Sequence, residues 1–108
     1  MSYEIELGPS FAKSAKRLQK KYPSFDHDLE GLGDSLKEDP EQGVAIALGF
    51  RKIRLAIKSK GKGKSSGARV ITLVKLTETT VTLVTVYDKS DQATLTDAEL
   101  RGLRDELG

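Results

Sequence analysis

The first third of the chain shows one period-two pattern and two helical ones. In residues 3–7 every second residue is apolar, which predicts a short strand with Tyr3, Ile5 and Leu7 facing inward. Two stretches with apolar residues three and four apart follow, separated by Pro23 and Ser24. Helices joined by so short a turn predict a helical hairpin. Their apolar faces consist of Phe11, Ala15, Leu18 and Tyr22, and of Phe25, Leu29, Leu32 and Leu36.

One predicted strand, residues 50–58, has an apolar side and a cationic side. Every second residue from Ile53 to Ile57 is apolar, and the residues between them are basic or small. Residues 40–49 have a weak pattern and are predicted to form a connector. Residues 59–67 are rich in glycine, serine and lysine, which predicts a polar loop. The cationic side of the strand carries Lys52, Arg54 and Lys58.

The last part of the chain predicts two central strands and a helix. Residues 69–76 and 80–87 are apolar and β-branched on both faces, which is typical of central strands. Thr96 and Glu99 give the final helix a capping box. The order β-α-α-β-β-β-α predicts an α+β fold: a small antiparallel-rich β-sheet with an N-terminal helical hairpin and a C-terminal helix. We expect one domain over residues 1–108.

The charges are distributed unevenly along the chain. There are 18 lysine and arginine residues against 16 aspartate and glutamate residues. Residues 42–77 hold nine of the basic residues and none of the acidic ones, which leaves nine basic against 16 acidic residues elsewhere. One side of the molecule is therefore expected to attract polyanions, and the rest to repel them.

The composition excludes several kinds of site. Cysteine is absent, which excludes disulfides, thiol catalysis and cysteine-ligated zinc. The only histidine, His27, falls on a predicted helix far along the chain from the basic residues and is expected at the surface. We expect neither a metal nor a cofactor. The first residues lack a basic start followed by an apolar run, and no apolar stretch is long enough to span a membrane. No signal peptide and no membrane contact are therefore expected, which fits a cytoplasmic protein.

Four short motifs resemble those of the RelE/ParE superfamily of toxins, particularly its HigB-like members. They are "RKIRLA", "GKGKSSGARVI", "VTVYDK" and "TLTDAEL", and the N-terminal "FAKSAKRLQKKYPS" is similar to the first helix of that family. The resemblance covers nearly the whole chain, and the predicted order of elements agrees with the family fold. It implies a RelE-like toxin of a type II toxin-antitoxin system. Such toxins cut mRNA on the ribosome without a metal and are neutralised by a cognate antitoxin protein.

The resemblance also implies which residues form the site. Lys52 and Arg54 match basic positions on the family's second strand, and Arg69 matches the arginine that opens the third. Leu95 stands where many relatives place a catalytic tyrosine near the final helix. If the chain is active, that role has to be taken by Tyr87 or a lysine, or the ribosome has to contribute. The full set of matched positions is Lys52, Arg54, Arg69, Tyr87 and Lys89.

RNA cleavage without a metal needs a base, an acid and cations around the phosphate. Lysine becomes a base when neighbouring cations disfavour its charge, so Lys52 is the leading candidate for proton transfer. Arg54 and Arg69 are expected to bind the scissile phosphate. Lys89 is expected to protonate the leaving oxygen, and Tyr87 to stack on a base or share in proton transfer. Nonspecific phosphate or rRNA contacts are expected from the loop lysines Lys58, Lys60, Lys62 and Lys64.

Other interpretations stay open at this point. Lys52 and Arg54 are equally typical of charged residues that keep an exposed edge strand soluble. Tyr87 lies at the end of an apolar strand and is equally compatible with a core position. A ParE-like relative poisons DNA gyrase on a similar fold, although it has less need of a cationic strand face. A noncatalytic RNA-binding relative is the third possibility, and Leu95 in place of the late tyrosine favours it.

Overall fold

The computed structural model describes residues 2–61 and 66–108. The predicted order of strands and α-helices is present with one additional strand of two residues, which forms within the segment predicted to be a connector. Short 3-10 helices also form at Ala47–Gly49 and at Lys58–Lys60, so Lys58 follows the strand and is not part of it. The predicted α+β class is confirmed. The regular elements are β1 (Glu4–Leu7), α1 (Phe11–Lys21), α2 (Phe25–Glu38), β2 (Val44–Ala45), β3 (Arg51–Leu55), β4 (Ala68–Lys75), β5 (Thr80–Asp88) and α3 (Asp97–Glu106).

The strands form a five-stranded sheet in the order β1-β5-β4-β3-β2. β1 runs parallel to β5, and every other neighbouring pair is antiparallel. The predicted central position of β4 and β5 is confirmed, which explains why both strands are apolar on both faces. The register between β4 and β5 shifts between Ile71 and Thr72, so Val84 is an extra residue on the β5 side.

The larger core lies between one face of the sheet and the two helices α1 and α2. The predicted inward faces of both helices pack there, with Phe25 and Leu36 completely inaccessible and Leu29 half-buried. Burying a side chain of that size contributes about 1.5–3 kcal/mol. Ser10, at the start of α1, donates its hydroxyl to both carboxylate oxygens of Glu106 at 2.6 and 2.7 Å, which ties α1 to the end of α3.

A second core lies on the opposite face of the sheet, under α3. It contains Phe50, Ile71 and Leu73 from the sheet side and Leu100 from the helix. The predicted capping box at the start of α3 is present. Thr96 accepts a hydrogen bond from the amide of Glu99 at 3.1 Å, and Glu99 accepts one from the amide of Thr96 at 2.9 Å. Such a cap stabilises the helix by about 1 kcal/mol.

One predicted core position is wrong. Leu7 was expected to face inward with Tyr3 and Ile5, but it is 63% exposed, whereas the other two pack against the larger core. The reason is that β1 is an edge strand, and Leu7 is its last residue before the chain turns at Gly8 into α1. Within the described parts of the chain, no helix is long and apolar enough to cross a membrane.

Candidate functional site

Arg54, Arg69 and Tyr87 stand side by side across three neighbouring strands. Arg54 of β3 is directly opposite Arg69 of β4, and Arg69 is directly opposite Tyr87 of β5. Directly opposite residues project from the same face of a sheet. Lys52 lies two residues before Arg54 on β3 and therefore projects from that face as well. The strand pairing thus brings together four of the five residues that the sequence singles out for catalysis.

Arg69 is the inner of two adjacent cations. It is 4% exposed, and its Nη1 donates to the carbonyl of Ala68 at 3.1 Å. Burial lowers the pKa of Arg69, the charge of Arg54 lowers it further, and Tyr87 opposes the shift. Arginine nevertheless stays protonated in proteins. The fold therefore holds two guanidinium cations side by side, and a bound anion would offset their repulsion.

Tyr87 is buried under α3 rather than open to solvent. Its exposure is 7%, and it packs in the second core with Phe50 and Leu100. Within residues 2–61 and 66–108 its hydroxyl has no partner that satisfies hydrogen-bond distance and angle, although the Thr94 side chain is near enough to lower its pKa. Burial raises the pKa of Tyr87, and the charge of Arg69 only partly opposes this. A buried ring offers no free face to a stacked base, so the geometry favours the core interpretation of this residue.

Five basic side chains line one groove of about 880 Å³ on this part of the molecule. The end of β5 is held beside the start of β4 because the amide of Lys89 donates to the carbonyl of Gly67 at 3.1 Å. A Cβ atom at Gly67 would overlap the carbonyl of Leu55, so the close approach of the chain to β3 here requires glycine. We call the surface of Lys52, Arg54, Lys58, Arg69 and Lys89 the cationic groove.

Residues of α2 also line the cationic groove, although that helix packs on the other face of the sheet. They include His27, Asp28 and Ser35. His27 is exposed, as predicted, but the fold places it on the same groove as the basic residues. Sequence reasoning missed this proximity because it depends on the packing of α2 against β3, which residue spacing does not encode. Within the described residues, no group of three or more His, Asp or Glu side chains could hold a metal ion.

The loop lysines differ from one another in their surroundings. Lys58 is exposed, and its amide donates to the Asp28 carboxylate at 3.0 Å. The Lys60 side chain is only 11% exposed, and its Nζ forms an ion pair with Asp88 at 2.9 Å. Lys62 and Lys64 lie outside the described residues. The ammonium of Lys60 is therefore directed into the protein, in contrast to the open phosphate contact expected from the sequence.

Asp88, the last residue of β5, is a buried carboxylate with four donors. Its side chain is 2% exposed. Oδ1 accepts from Lys60 at 2.9 Å and from the amide of Ser90 at 2.8 Å. Oδ2 accepts from the Tyr22 hydroxyl at 2.6 Å and from Lys21 at 3.4 Å. Burial alone raises the pKa of Asp88, but the hydrogen bonds from Lys60 and Tyr22 outweigh it and hold the pKa well below its ordinary value of 3.8.

Leu95 takes a packing role at the position where the family resemblance leads one to look for a tyrosine. It is half-buried, packs against the second core, and immediately precedes Thr96, the residue that caps α3. The described structure therefore offers no hydroxyl at this position.

The fold has a match among solved structures. A double mutant of the E. coli toxin RelE in the free state superposes with a TM-score of 0.58, over 98% of this chain and 94% of that chain. The fold is RelE-like. The two sequences are 18% identical, so the likeness concerns the fold. The chain matches no protein-family model, and no curated protein matches it. The HigB-like branch stays a prediction.

Proposed function

We propose that this protein is the toxin of a type II toxin-antitoxin system, of the HigB-like branch, and that it cuts mRNA on the ribosome without a metal. The observation that carries this function is the cationic groove, where basic residues from β3, from β4 and from the ends of two loops meet on one surface of a RelE-like fold. Such a surface attracts the phosphates of mRNA and rRNA. The proposed protein partner is a cognate antitoxin.

The scissile phosphate is assigned to Arg54 and Arg69. A guanidinium group offers two parallel donors to phosphate oxygens, and it keeps its charge as the reaction proceeds. Arg54 is exposed and would make the first contact, while Arg69 lies deeper in the groove. The repulsion between the two cations is relieved when an anion binds. It is relieved further as charge accumulates on the pentacoordinate phosphorus, which is the condition for transition-state stabilisation.

Proton transfer is assigned to Lys52 and Lys89, which line the same groove. The 2′-hydroxyl would give its proton to Nζ of Lys52, acting as the base, and attack the phosphorus. The bond to the 5′-oxygen breaks, and that oxygen takes a proton from the ammonium of Lys89. The products are a 2′,3′-cyclic phosphate and a free 5′-hydroxyl. Tyr87 takes no part in proton transfer and packs beside Arg69 as its buried neighbour on β5. Lys58 contacts another phosphate of the RNA chain.

Induced expression without an antitoxin, followed by mapping of mRNA 5′ ends, tests this function. The wild type is expected to arrest growth and to create new 5′ ends within coding sequences. Lys52→Ala, Arg54→Ala and Arg69→Ala should restore growth. The matched control is Lys16→Ala, because Lys16 is an exposed lysine of α1 that does not line the groove. It should stay toxic.

The other outcomes separate the alternatives. Growth arrest with intact mRNA and DNA-damage signalling would favour a ParE-like gyrase poison. Harmless expression of a folded protein that still binds RNA would favour a noncatalytic relative. Full toxicity of all three groove variants would reject the assigned site.

A further inference from the structure

We infer that Asp88 is a positioning residue that fastens the start of the lysine-rich loop, so that Lys58 faces the cationic groove. Three separate parts of the chain meet at its carboxylate: α1 through Lys21 and Tyr22, the loop through Lys60, and the segment after β5 through Ser90. The expected effect of Asp88 on RNA binding rests on the proposed function. Its expected effect on the attachment of the loop is independent of that function.

The ion pair between Asp88 and Lys60 can fasten the loop because it is buried. The Asp88 side chain is 2% exposed and that of Lys60 is 11% exposed. A buried carboxylate without donors is costly, so every one of its hydrogen bonds resists separation of the parts it joins. Lys60 also donates to the Ser90 hydroxyl at 2.6 Å, which adds a second bond between the loop and the segment after β5.

A second set of hydrogen bonds holds the other side of the same short segment. Asp28 accepts from the Ser24 hydroxyl at 2.7 Å and from the amide of Lys58 at 3.0 Å. The amide of Ser59 donates to Ser24 at 2.9 Å. Residues 58–60 are thus fixed to the first turn of α2 on one side and to Asp88 on the other. The exposed side chain of Lys58 lies between these attachments, on the cationic groove.

Replacing Asp88 with a neutral residue distinguishes a role in positioning the loop from the effect of its negative charge on RNA binding. Removing an anion near a cationic surface strengthens the binding of RNA if only charge matters. It would also release Lys60 to contact phosphate directly. A positioning role gives the opposite sign, because the start of the loop loses its attachment and Lys58 is no longer held on the groove.

The first experiment compares Asp88→Asn with Asp91→Asn. Asp91 is a matched control in the same segment, because its carboxylate pairs with Arg17 of α1 at 3.3 Å and with none of the described loop residues. Affinity is measured by fluorescence anisotropy with a labelled single-stranded RNA oligonucleotide, and loop attachment by the rate at which trypsin cuts the Lys58–Ser59 and Lys60–Gly61 bonds. Asp88→Asn should weaken RNA affinity and speed the cuts, each on the order of tenfold. Asp91→Asn should change neither in that direction.

The second experiment asks whether Asp88 acts through Lys60. In Lys60→Gln, Asp88 keeps its hydrogen-bond donors Lys21, Tyr22 and Ser90. This variant therefore tests the inference even if Asp88→Asn folds poorly. If the two residues act as one unit, the double variant should be no weaker than the weaker single variant, and Lys60→Arg should recover most of the loss. The effects of independent residues would add.

Several results would overturn the inference. It fails if folded Asp88→Asn binds RNA as tightly as the wild type or more tightly, or if trypsin cuts the Lys58–Ser59 bond of Asp88→Asn and of Lys60→Gln at the wild-type rate. Failure of the proposed function is distinguishable, because it shows as a wild type that neither binds nor cuts RNA. The trypsin comparison then still decides whether Asp88 holds the loop.

Discussion

Arg54 and Arg69 lie directly opposite each other on antiparallel strands, with both guanidinium groups on one face of the sheet. Like charges at directly opposite positions destabilise a sheet. The burial of Arg69 increases this cost, because the inner cation has little water around it. The pair therefore works against the stability of the fold and favours the binding of an anion.

Replacing the outer cation should separate stability from binding. Arg54→Gln is expected to raise the free energy of unfolding by about 0.2–1 kcal/mol, because the repulsion across β3 and β4 is removed. It should also lower the salt dependence of single-stranded RNA binding by about 0.7 in slope, the effect of one lost phosphate contact. Urea unfolding and anisotropy at several salt concentrations measure the two effects. A variant that is less stable, with an unchanged salt slope, would show that Arg54 is not a phosphate contact.

The Tyr87 hydroxyl should be dispensable for folding. Within the described residues it has no hydrogen-bond partner, so Tyr87→Phe is expected to leave the free energy of unfolding unchanged or to raise it by up to about 1 kcal/mol. Tyr87→Ala should cost about 3–5 kcal/mol, because it empties part of the second core. RNA cleavage by Tyr87→Phe is expected to stay close to the wild-type rate. A loss of about a hundredfold without loss of stability would instead assign proton transfer to the phenol.

Asp88 should contribute to the acid sensitivity of the fold. Its pKa in the folded protein lies below the value of 3.8 expected when unfolded, so its contribution is present above that pH and is lost as the pH falls below it. The free energy of unfolding of the wild type is therefore expected to fall more steeply between about pH 5 and pH 2 than that of Asp88→Asn. Urea titrations across this range measure the difference. Parallel curves for the two proteins would contradict the expectation.

His27 lies on the cationic groove, and its part in the reaction can be tested directly. If Lys52 and Lys89 transfer the protons, His27→Ala should leave the cleavage rate within a fewfold range of the wild type. Kinetics with a defined RNA at several pH values check this. A loss of about a hundredfold, the contribution typical of a proton-transfer group, would move the acid or base role to the histidine.

The sequence predicts relationships within one element better than relationships between elements. The period of two places Lys52 and Arg54 on one side of β3, because alternation fixes faces within a strand. It does not say which residue of another strand lies opposite, and the pairing of Arg54 with Arg69 depends on that register. β2 has no pattern of its own and forms through its pairing with β3.

The burial of individual site residues was the property that the sequence predicted least well. Tyr87 is inaccessible because α3 covers its end of β5, and an apolar strand ending in tyrosine is compatible with either exposure. Lys60 belongs to a polar, lysine-rich segment, yet its partner Asp88 lies 28 residues further along the chain. Composition correctly predicted a cationic surface. The division of its lysines between solvent and interior depends on long-range contacts.

The parallel pairing of β1 with β5 sets an order of assembly. β1 is an edge strand whose neighbour in the sheet is β5, with Glu4 opposite Thr80 and Leu7 opposite Leu83. A ribosome making this chain therefore releases the first strand long before its partner exists, and contacts so distant in sequence form slowly. Lys89 is made later still. A nascent chain interrupted before β5 contains most of the basic residues but cannot assemble the groove, so the surface is completed only after β5 and Lys89 have been made.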